Sequence, residues 1–209
     1  MNADLPAKLT NLNIASLPGI DAHRRMAPLP DRLSEKYSSD VRKAGVMILL
    51  YEMDGSWFFP LIQRSSHNSN DPHSGQISFP GGRFDEEDEN IRQTSLRETE
   101  EEIGVPSSEI KILTPLSKLY IPVSKNLVFP FIGFYSSIPE FRKMDSEVEM
   151  IWPCNLDVLI NENNRIRKVL KTSYSDSIEV PGFQFEDFFI WGATAMILEE
   201  FIHVVEQLS

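Results

Sequence analysis

Gly81–Val105, GGRFDEEDENIRQTSLRETEEEIGV, is the stretch that decides the fold of this chain. It begins with a Gly-Gly turn, continues through an acidic loop, and then has the composition of a helix that ends at Gly104. Glycine is typical of the position just after a helix. At about 100° per residue, Glu98, Glu101 and Glu102 fall within one arc of that helix. The stretch therefore predicts a helix with three carboxylates on one face.

Three carboxylates on one face repel one another, because residues three and four apart are neighbours on a helix. A divalent cation would remove that repulsion, since hard cations bind carboxylate oxygens and Mg²⁺ bridges them to phosphates. Arg97 lies one turn before Glu101 and is placed to orient its carboxylate. The alternative is a charged surface helix, which is what most charge runs form. The Phe-Pro-Gly-Gly turn before the helix, the glycine after it and Arg97 favour a metal site.

The same residues resemble the Nudix box, G-x5-E-x7-R-E-U-x-E-E-x-G-U, in which U is a bulky aliphatic residue. The positions in register are Glu89, Arg97, Glu98, Glu101, Glu102, Gly104 and Val105. Thr99 stands where an aliphatic residue is usual, and the span from Gly82 to Arg97 is one residue longer than the general pattern. The resemblance implies the Nudix fold, hydrolysis of a phosphoanhydride bond in a nucleoside diphosphate derivative, and Mg²⁺ or Mn²⁺ as the cofactor.

The composition is that of one globular domain with appendages: 209 residues, of which 41% are hydrophobic and 24% charged. A net charge of −11 argues against a nucleic-acid surface, which needs a basic stripe. The chain has no apolar run of the roughly 20 residues that span a bilayer, and no signal peptide is recognisable at its N-terminus. The single cysteine, Cys154, fits a reducing compartment. We therefore expect a cytoplasmic protein with no nucleic-acid and no membrane partner.

The chain divides into an N-terminal arm, residues 1–42, and a domain, residues 43–209. In the arm we expect a short helix near Leu5–Ile14 and then an extended segment packed on the domain. In the domain, Lys43–Glu52 is a continuous apolar run typical of a buried strand, and Asp54-Gly55 predicts a hairpin turn. Further strands are expected at Trp57–Arg64, Gly75–Gly82, Glu109–Ile121, Leu127–Tyr135, Glu147–Trp152, Ile166–Thr172 and Ile178–Phe189, and helices at Asn155–Ile160 and from Trp191 to Val205. This mixture predicts an α/β (α+β) fold with helices on both sides of a mixed sheet.

Residues outside the box resemble the coenzyme A pyrophosphatase branch of the Nudix family. The signature segments are Leu61–Ser65 (LIQRS) and His73–Gly82 (HSGQISFPGG), and Asp88 and the longer loop also fit this branch. Many members carry basic residues between the two segments, whereas Ser66–Pro72 (SHNSNDP) has no lysine or arginine. If those residues hold the 3′-phosphate of coenzyme A, this chain has lost that contact or supplies it elsewhere. The candidates are Arg24, Arg25, Arg64, Arg83 and Arg92.

The resemblance also implies a role for each residue of the site. The metal ligands would be the Gly81 carbonyl and the carboxylates of Glu98, Glu101 and Glu102. Arg97 would assist in catalysis by orienting a carboxylate, and the substrate would contact Arg64, Gln76, Phe79 and Gly82. The proton acceptor would be Glu98 or Glu147, although Glu147 is equally well explained as an exposed strand residue. The two loop histidines, His67 and His73, are interpreted as exposed polar residues rather than metal ligands.

The box defines the chemistry and leaves the substrate open. With coenzyme A, the products would be 4′-phosphopantetheine and adenosine 3′,5′-bisphosphate. ADP-ribose, a dinucleotide or a damaged nucleoside triphosphate are the alternative substrates. A Nudix-like domain that binds a nucleotide without cutting it ranks lower, because such domains commonly lack box glutamates that are all present here. The partners expected are a small nucleotide, coenzyme A or a derivative, and a second copy of the chain in a homodimer.

Overall fold

The computed structural model describes residues 4–66, 74–172 and 175–208, with the backbone alone at Arg32. Both loop histidines, His67 and His73, and all of the Ser66–Pro72 interval except Ser66 lie outside the described residues. The described part contains an eight-stranded sheet, a three-stranded sheet and five α-helices. This is the mixed α+β arrangement that the sequence predicted.

The strands and helices have the following bounds. The strands are β1 (Arg42–Met53), β2 (Ser56–Arg64), β3 (Ile77–Ser78), β4 (Gly81–Arg83), β5 (Lys111–Pro115), β6 (Leu119–Ile121), β7 (Asn126–Phe134), β8 (Val148–Asn155), β9 (Arg165–Thr172), β10 (Ser175–Phe185) and β11 (Phe188–Trp191). The α-helices are α1 (Leu5–Thr10), α2 (Ile20–Met26), α3 (Ile91–Ile103), α4 (Leu156–Ile160) and α5 (Gly192–Leu208). Short 3-10 helices lie at Ile14–Ser16, Pro30–Arg32, Ser107–Glu109 and Glu162–Asn164.

Strand β1 is the centre of the larger sheet. It runs parallel to β7 and antiparallel to β2 and β4, while β5 and β6 pair with β7, and β3 and β8 pair with β2. Its residues 47–50 are fully buried, as the continuous apolar run predicted. Pro60 of β2 pairs with Pro153 of β8, and it lies between the part of β2 that pairs with β1 and the part that pairs with β3. A residue without an N–H is tolerated where the second neighbouring strand is interrupted.

The two faces of β1 hold two different helices, because successive side chains of a strand point to opposite faces. Met47 and Leu49 pack in one cluster with Ile103 of α3, whereas Ile48 and Leu50 pack in another with residues of α5. At Gly45, a Cβ atom would lie 2.6 Å from a carbonyl oxygen of α3, so glycine lets this helix sit directly on the strand. Helices on both sides of the sheet were predicted, and this prediction is confirmed.

The ends of α3 follow from local sequence. The side chain of Asn90 accepts hydrogen bonds from the amides of Arg92 and Gln93, which satisfies two of the free N–H groups at the helix start. Gly104 ends the helix in a left-handed conformation with φ of 74°. Asn155 caps α4 in the same way as Asn90. The predicted end of the acidic helix at Gly104 is confirmed.

The N-terminal arm packs on the domain, but it is not extended as predicted. After α1 the chain forms a second helix, α2, whose His23 lies 2.9 Å from Glu200 of α5, and both side chains are buried. Leu5, Leu9 and Met26 belong to the same core cluster as the apolar face of α5. The prediction missed α2 because this helix is only seven residues long and its stability comes from packing. The division at residue 42 remains a prediction.

Four further strand predictions need correction. The predicted strand Gly75–Gly82 is two short strands, β3 and β4, and the predicted strand Glu109–Ile121 is likewise two, β5 and β6. The predicted strand Ile178–Phe189 is a hairpin of β10 and β11, which turns at Glu186 with φ of 47°. Glu147 was expected in a strand beside Glu149, but β8 begins one residue later, at Val148. None of the helices in the described part of the chain combines the length and the hydrophobicity that a transmembrane helix requires.

Candidate active site

A cleft of about 820 Å³ lies beside β4 and the start of α5. The four residues predicted to contact the substrate all line it, namely Arg64, Gln76, Phe79 and Gly82. They come from β2, β4 and the segment that contains β3. Phe79 is almost fully buried and its ring contacts that of Phe59, so it also supports the wall of the cleft from within the core. The structure therefore brings the predicted substrate residues together in one place.

Three carboxylates meet at the edge of this cleft: Glu98 and Glu147 line it, and the buried Glu102 lies next to them without lining it. Each offers one oxygen, and the three oxygens lie within 4.8 Å of one another. Glu98 and Glu102 come from α3, while Glu147 comes from the turn before β8. Glu102 is 1% exposed, Glu98 is partly buried and Glu147 is exposed, so the group passes from the protein interior to solvent.

Glu102 connects α3 to the two strands beside it. Its Oε2 accepts a hydrogen bond from the Gly81 amide at 2.7 Å, and its Oε1 lies 3.3 Å from Nη1 of Arg64. Burial raises the pKa of Glu102 to about 8, and the neighbouring Glu98 and Glu147 carboxylates raise it as well, whereas the Gly81 amide and Arg64 oppose the shift. The carboxylate is thus positioned by hydrogen bonds but incompletely compensated in charge.

Glu98 lies against the backbone of β4. A Cβ atom at Gly82 would lie 2.3 Å from the Glu98 carboxylate, so only glycine leaves room for that carboxylate at the strand edge. Burial raises the pKa of Glu98, and Glu101 and Glu147 act in the same direction, while Arg97 opposes the shift. The Gly-Gly turn therefore serves both acids, since Gly81 binds Glu102 and Gly82 makes room for Glu98.

Arg97 is the centre of a network of carboxylates. Its Nε and Nη2 donate to the two oxygens of Asp88 at 2.9 and 3.0 Å, and its Nη1 lies 3.0 Å from both Glu98 and Glu101. Asp88 is buried and also accepts hydrogen bonds from the Thr94 hydroxyl and the Asp85 amide. The Arg97 guanidinium holds the pKa of Asp88 well below its usual range. This bidentate contact with Asp88 fixes the Arg97 side chain, which in turn orients Glu98.

The partner of Arg97 corrects the register taken from the sequence. Glu89 was placed in the box by counting back from Arg97, but Glu89 is exposed and Asp88 takes the buried position. The box requires five residues between its first glycine and its first acid. Counted forward from Gly82, this spacing leads to Asp88. The extra residue of this chain therefore lies between Asp88 and Arg97. Counting from the glycine could have found Asp88, but the count from the arginine was equally valid.

Two of the predicted metal ligands stand apart from the close group of three. Glu101 is 45% exposed at its side chain, and its Oε2 bonds to Arg97 rather than joining Glu98 and Glu102. Gly81 lines the cleft and binds Glu102 through its amide. Both remain predictions as ligands.

The group of three carboxylates fits a hard divalent cation. Oxygen donors are what Mg²⁺ and Mn²⁺ prefer, and carboxylates this close repel one another unless a cation or protons lie between them. Burial at Glu98 and Glu102 increases that repulsion, because water screens it less. Two members of this group, Glu98 and Glu102, belong to the helix face that the sequence predicted as a metal site, whereas Glu147 comes from outside that helix. The metal site itself remains a prediction.

Three cationic side chains line the cleft in the described part of the chain: Arg64, Arg83 and Lys171. Arg64 and Arg83 were candidates for holding an additional phosphate, whereas Lys171 was not identified. Arg24 forms an ion pair with Asp21, and Arg25 is 3.4 Å from Glu199 on another surface. Neither these two arginines nor Arg92 is among the described residues that line the cleft. Lys171 carries no motif, and only the packing of β9 beside the cleft reveals it.

This fold, with a glycine turn that supports two helix glutamates, defines the Nudix class. The model of the NUDIX domain matches residues 41–171, so the chain belongs to the Nudix family. It is similar to Nudix hydrolase 15, mitochondrial, of Arabidopsis thaliana, with 34% identity over 83% of this chain and 61% of that protein. It is also similar to NudL of Yersinia pestis, an uncharacterized Nudix hydrolase, with 28% identity over 91% of this chain and 93% of the relative.

A solved structure confirms the fold. RenU, a Nudix hydrolase from M. smegmatis, superimposes with a TM-score of 0.55 and 14% identity, over 80% of this chain and 87% of its own. At that identity the likeness concerns the fold alone. The predicted family is confirmed by the match to the NUDIX domain, and both relatives are named Nudix hydrolases.

Proposed function

We propose that this protein hydrolyses the pyrophosphate bond of coenzyme A or a derivative, which yields 4′-phosphopantetheine and adenosine 3′,5′-bisphosphate. The observation that carries the proposal is that Glu98 and Glu147 line one cleft with Arg64 and Gln76, while the Glu102 carboxylate lies within 4.8 Å of both acids. The glutamates supply the chemistry common to Nudix hydrolases. The arginine and the glutamine belong to the segments in which the chain resembles coenzyme A pyrophosphatases.

The carboxylates of Glu98 and Glu102 would hold one or more Mg²⁺ or Mn²⁺ ions, with Glu101 and the Gly81 carbonyl as further ligands. A bound ion would neutralise the diphosphate charge and lower the pKa of a water molecule. Arg97 keeps the Glu98 carboxylate in place, and the Gly81 amide does the same for Glu102. Such prepositioning favours catalysis because no reorganisation is needed as the reaction proceeds.

The proton of the attacking water must pass to a base. We assign this role to Glu147, because it is exposed at the cleft and its oxygen lies within 4.8 Å of both ligand carboxylates. Glu98 is the second candidate, but Arg97 already donates a hydrogen bond to it. Water attacks one phosphorus, the bridging P–O bond breaks, and the leaving phosphate oxygen carries away the electron pair. Replacing Glu147 with Gln should therefore lower kcat more than it raises KM.

Arg83 and Lys171 are the residues we propose for the 3′-phosphate of coenzyme A. Both line the cleft, and Arg83 is exposed at the end of the glycine turn. Lys171 forms an ion pair with Asp176 at 3.1 Å, but both side chains are largely exposed, so a phosphate could replace this contact. The third cation of the cleft, Arg64, is engaged with the buried Glu102. This would explain how the chain binds a third phosphate without basic residues at Ser66–Pro72.

A substrate comparison tests the proposal. The full chain is assayed with coenzyme A, dephospho-coenzyme A, ADP-ribose, a dinucleotide and nucleoside triphosphates, each with Mg²⁺ and with Mn²⁺. We expect the highest kcat/KM with coenzyme A, and the two predicted products by chromatography. Equal turnover of all substrates would overturn the assignment to coenzyme A. Failure to hydrolyse any of them, with nucleotide binding retained, would favour the non-catalytic alternative.

Cytoplasmic location and a homodimer belong to the same proposal. A hydrolase of this kind would meet coenzyme A wherever the cofactor is free, and the single Cys154 suits a reducing compartment. Light scattering of the purified chain at several concentrations tests the homodimer, and a constant monomer mass would reject it. Fractionation of cells that express the chain from its native gene tests the location.

A further inference from the structure

The floor of the cleft crosses four strands of the larger sheet. Arg83 of β4 pairs with Ala44 of β1, Ala44 with Val128 of β7, and Val128 with Leu119 of β6. Three spacings of about 4.8 Å separate the first strand from the last, so the floor extends roughly 14 Å from the glycine turn. This distance is longer than a diphosphate needs, and the cleft has room for a long group beside it.

The side chains on this floor are mostly apolar. Ala44, Val46, Val128 and Ile121 share one face of the sheet, as their registers require, and all line the cleft. The three lining cations come from β2, β4 and β9, not from the floor strands beyond β4. The floor therefore suits a weakly polar group rather than a charged or sugar-like one.

One polar atom interrupts the apolar floor. Asn126 of β7 lies opposite Ile121 of β6 and lines the cleft, and its Oδ1 is buried without a hydrogen-bond partner among the described residues. A buried acceptor that is left unpaired costs free energy, so a ligand that donates an N–H to it would be favoured. An amide within an extended chain has such a donor.

The N-terminal arm forms one wall of this cleft and also contacts β6. Leu29 and Leu33 line the cleft, and the ring of Tyr37 lies 5.8 Å from that of Tyr120 in β6. Both leucines are partly exposed, so a ligand can reach them. The wall is anchored through α2, whose His23 forms a buried contact with Glu200 of α5.

We propose that Leu29 and Leu33 of the arm determine which group the enzyme accepts on the second phosphate of its substrate. They would pack against an extended, weakly polar, amide-containing chain, and Asn126 would accept a hydrogen bond from its N–H. The inference rests on the proposed function, because the diphosphate must lie at the glutamates for its substituent to reach the wall. It makes the arm a part of the binding site rather than an appendage.

A comparison of two substrates distinguishes an effect of this wall from an effect on the rest of the cleft. Dephospho-coenzyme A and ADP-ribose share the ADP half and differ in the group on the second phosphate. For Leu29→Gln and Leu33→Gln, we expect the ratio of kcat/KM for the first substrate to that for the second to fall about tenfold, through lost apolar contact. Asn126→Leu, which keeps the size but removes the acceptor, should lower the same ratio. The matched control is Leu12→Gln, since Leu12 is a partly buried arm residue that is not among the lining residues.

Inhibition by the two halves of the substrate gives a second measurement that does not depend on turnover of ADP-ribose. The inhibition constant of 4′-phosphopantetheine should rise in Leu33→Gln, and that of AMP should stay unchanged. Equal losses for both substrates, or a higher inhibition constant for AMP, would overturn the inference. The proposed function is judged separately, by whether the unaltered enzyme prefers dephospho-coenzyme A. If the unaltered enzyme shows no such preference but the ratio still falls in the variants, the role of Leu29 and Leu33 is supported and the assignment to coenzyme A is rejected.

Discussion

The two long helices of this molecule both carry buried glutamates, and the comparison shows how structure and function use the same residue differently. On α5, Glu200 contacts His23 and accepts hydrogen bonds from the amides of Gly19 and Ser117, while Glu199 lies between Arg25 and Arg165. Both of these buried carboxylates have a cationic or potentially cationic partner. These acids connect the arm and β9 to the core.

On α3 the charges do not balance. Around the glycine turn lie five carboxylates, namely Asp88, Glu98, Glu101, Glu102 and Glu147. Among the described residues, the cations that form ion pairs with them are Arg64 and Arg97. Asp88 takes two of the hydrogen bonds of Arg97, so the acids that face the cleft share what remains. The excess negative charge is where a metal and a phosphate substrate would bind. The comparison teaches that burial alone does not identify a site, whereas buried charge without compensation does.

The largest expected effect comes from Glu102→Gln. The substitution removes a proposed ligand charge, and we expect kcat/KM to fall about a thousandfold, which corresponds to several kcal/mol of lost charge stabilisation. The free energy of unfolding without metal should change little near neutral pH, because burial raises the pKa of Glu102 to about 8 and its carboxyl is then mostly protonated. Steady-state kinetics and urea unfolding of one preparation check both parts. A variant as active as the parent would contradict the metal assignment.

The matching substitution on α5, Glu200→Gln, should strongly lower the stability of the protein and have a much smaller effect on its activity. It breaks a buried pair with His23, and its amide nitrogen would face a backbone N–H of Gly19 or Ser117, so we expect a loss of about 3 kcal/mol in the free energy of unfolding. Activity per folded molecule should fall far less than in Glu102→Gln. Chemical unfolding followed by fluorescence measures the loss. Unchanged stability would mean that the two helices do not differ as described.

Asp88→Asn tests how the charge on α3 is organised. Asparagine keeps the size but weakens the contact that fixes Arg97, and substitutions beyond the direct ligands typically weaken metal binding about 10- to 100-fold. We expect an effect near the lower end, measured as Mg²⁺ affinity by titration calorimetry. Glu89→Gln is the adjacent control, because Glu89 is exposed, and it should stay within about twofold of the parent. Equal effects of the two substitutions would restore Glu89 as the box acid.

These contrasts also show what the sequence could supply. Helix α3 was predictable because its signals are local: the residues of the box follow one another and Gly104 ends the helix. Strand β1 was predictable from one apolar run. Glu147 and Lys171 approach the cleft from distant parts of the chain. Glu147 was therefore assigned to the site only through the family resemblance, and Lys171 was not assigned at all. The choice between Asp88 and Glu89 needed coordinates, because one extra residue made both counts valid.

The arm was the least predictable region. Helix α2 lies between Pro18 and Pro28, has seven residues, and is held by the buried contact of His23 with a residue 177 positions away. A helix this short has little stability of its own, so its residues alone indicate it weakly. Leu29 and Leu33 are likewise far in sequence from most of the other cleft residues, so the sequence alone could not link them to a substrate.

The smallest expected effect is on the pH dependence of stability in the metal-free protein. The pKa of Glu102 is raised from its ordinary value of 4.5 to about 8, so between these values the folded state binds more protons than the unfolded state. The free energy of unfolding should therefore fall as pH rises through this window. Because Glu102 is coupled to Arg64 and two other carboxylates, we expect a net loss of about 1 kcal/mol. Urea unfolding with a chelator at pH 5.5 and 8, compared with Glu102→Gln, isolates this residue. Identical slopes in parent and variant would show that the buried charge of α3 is compensated as fully as that of α5.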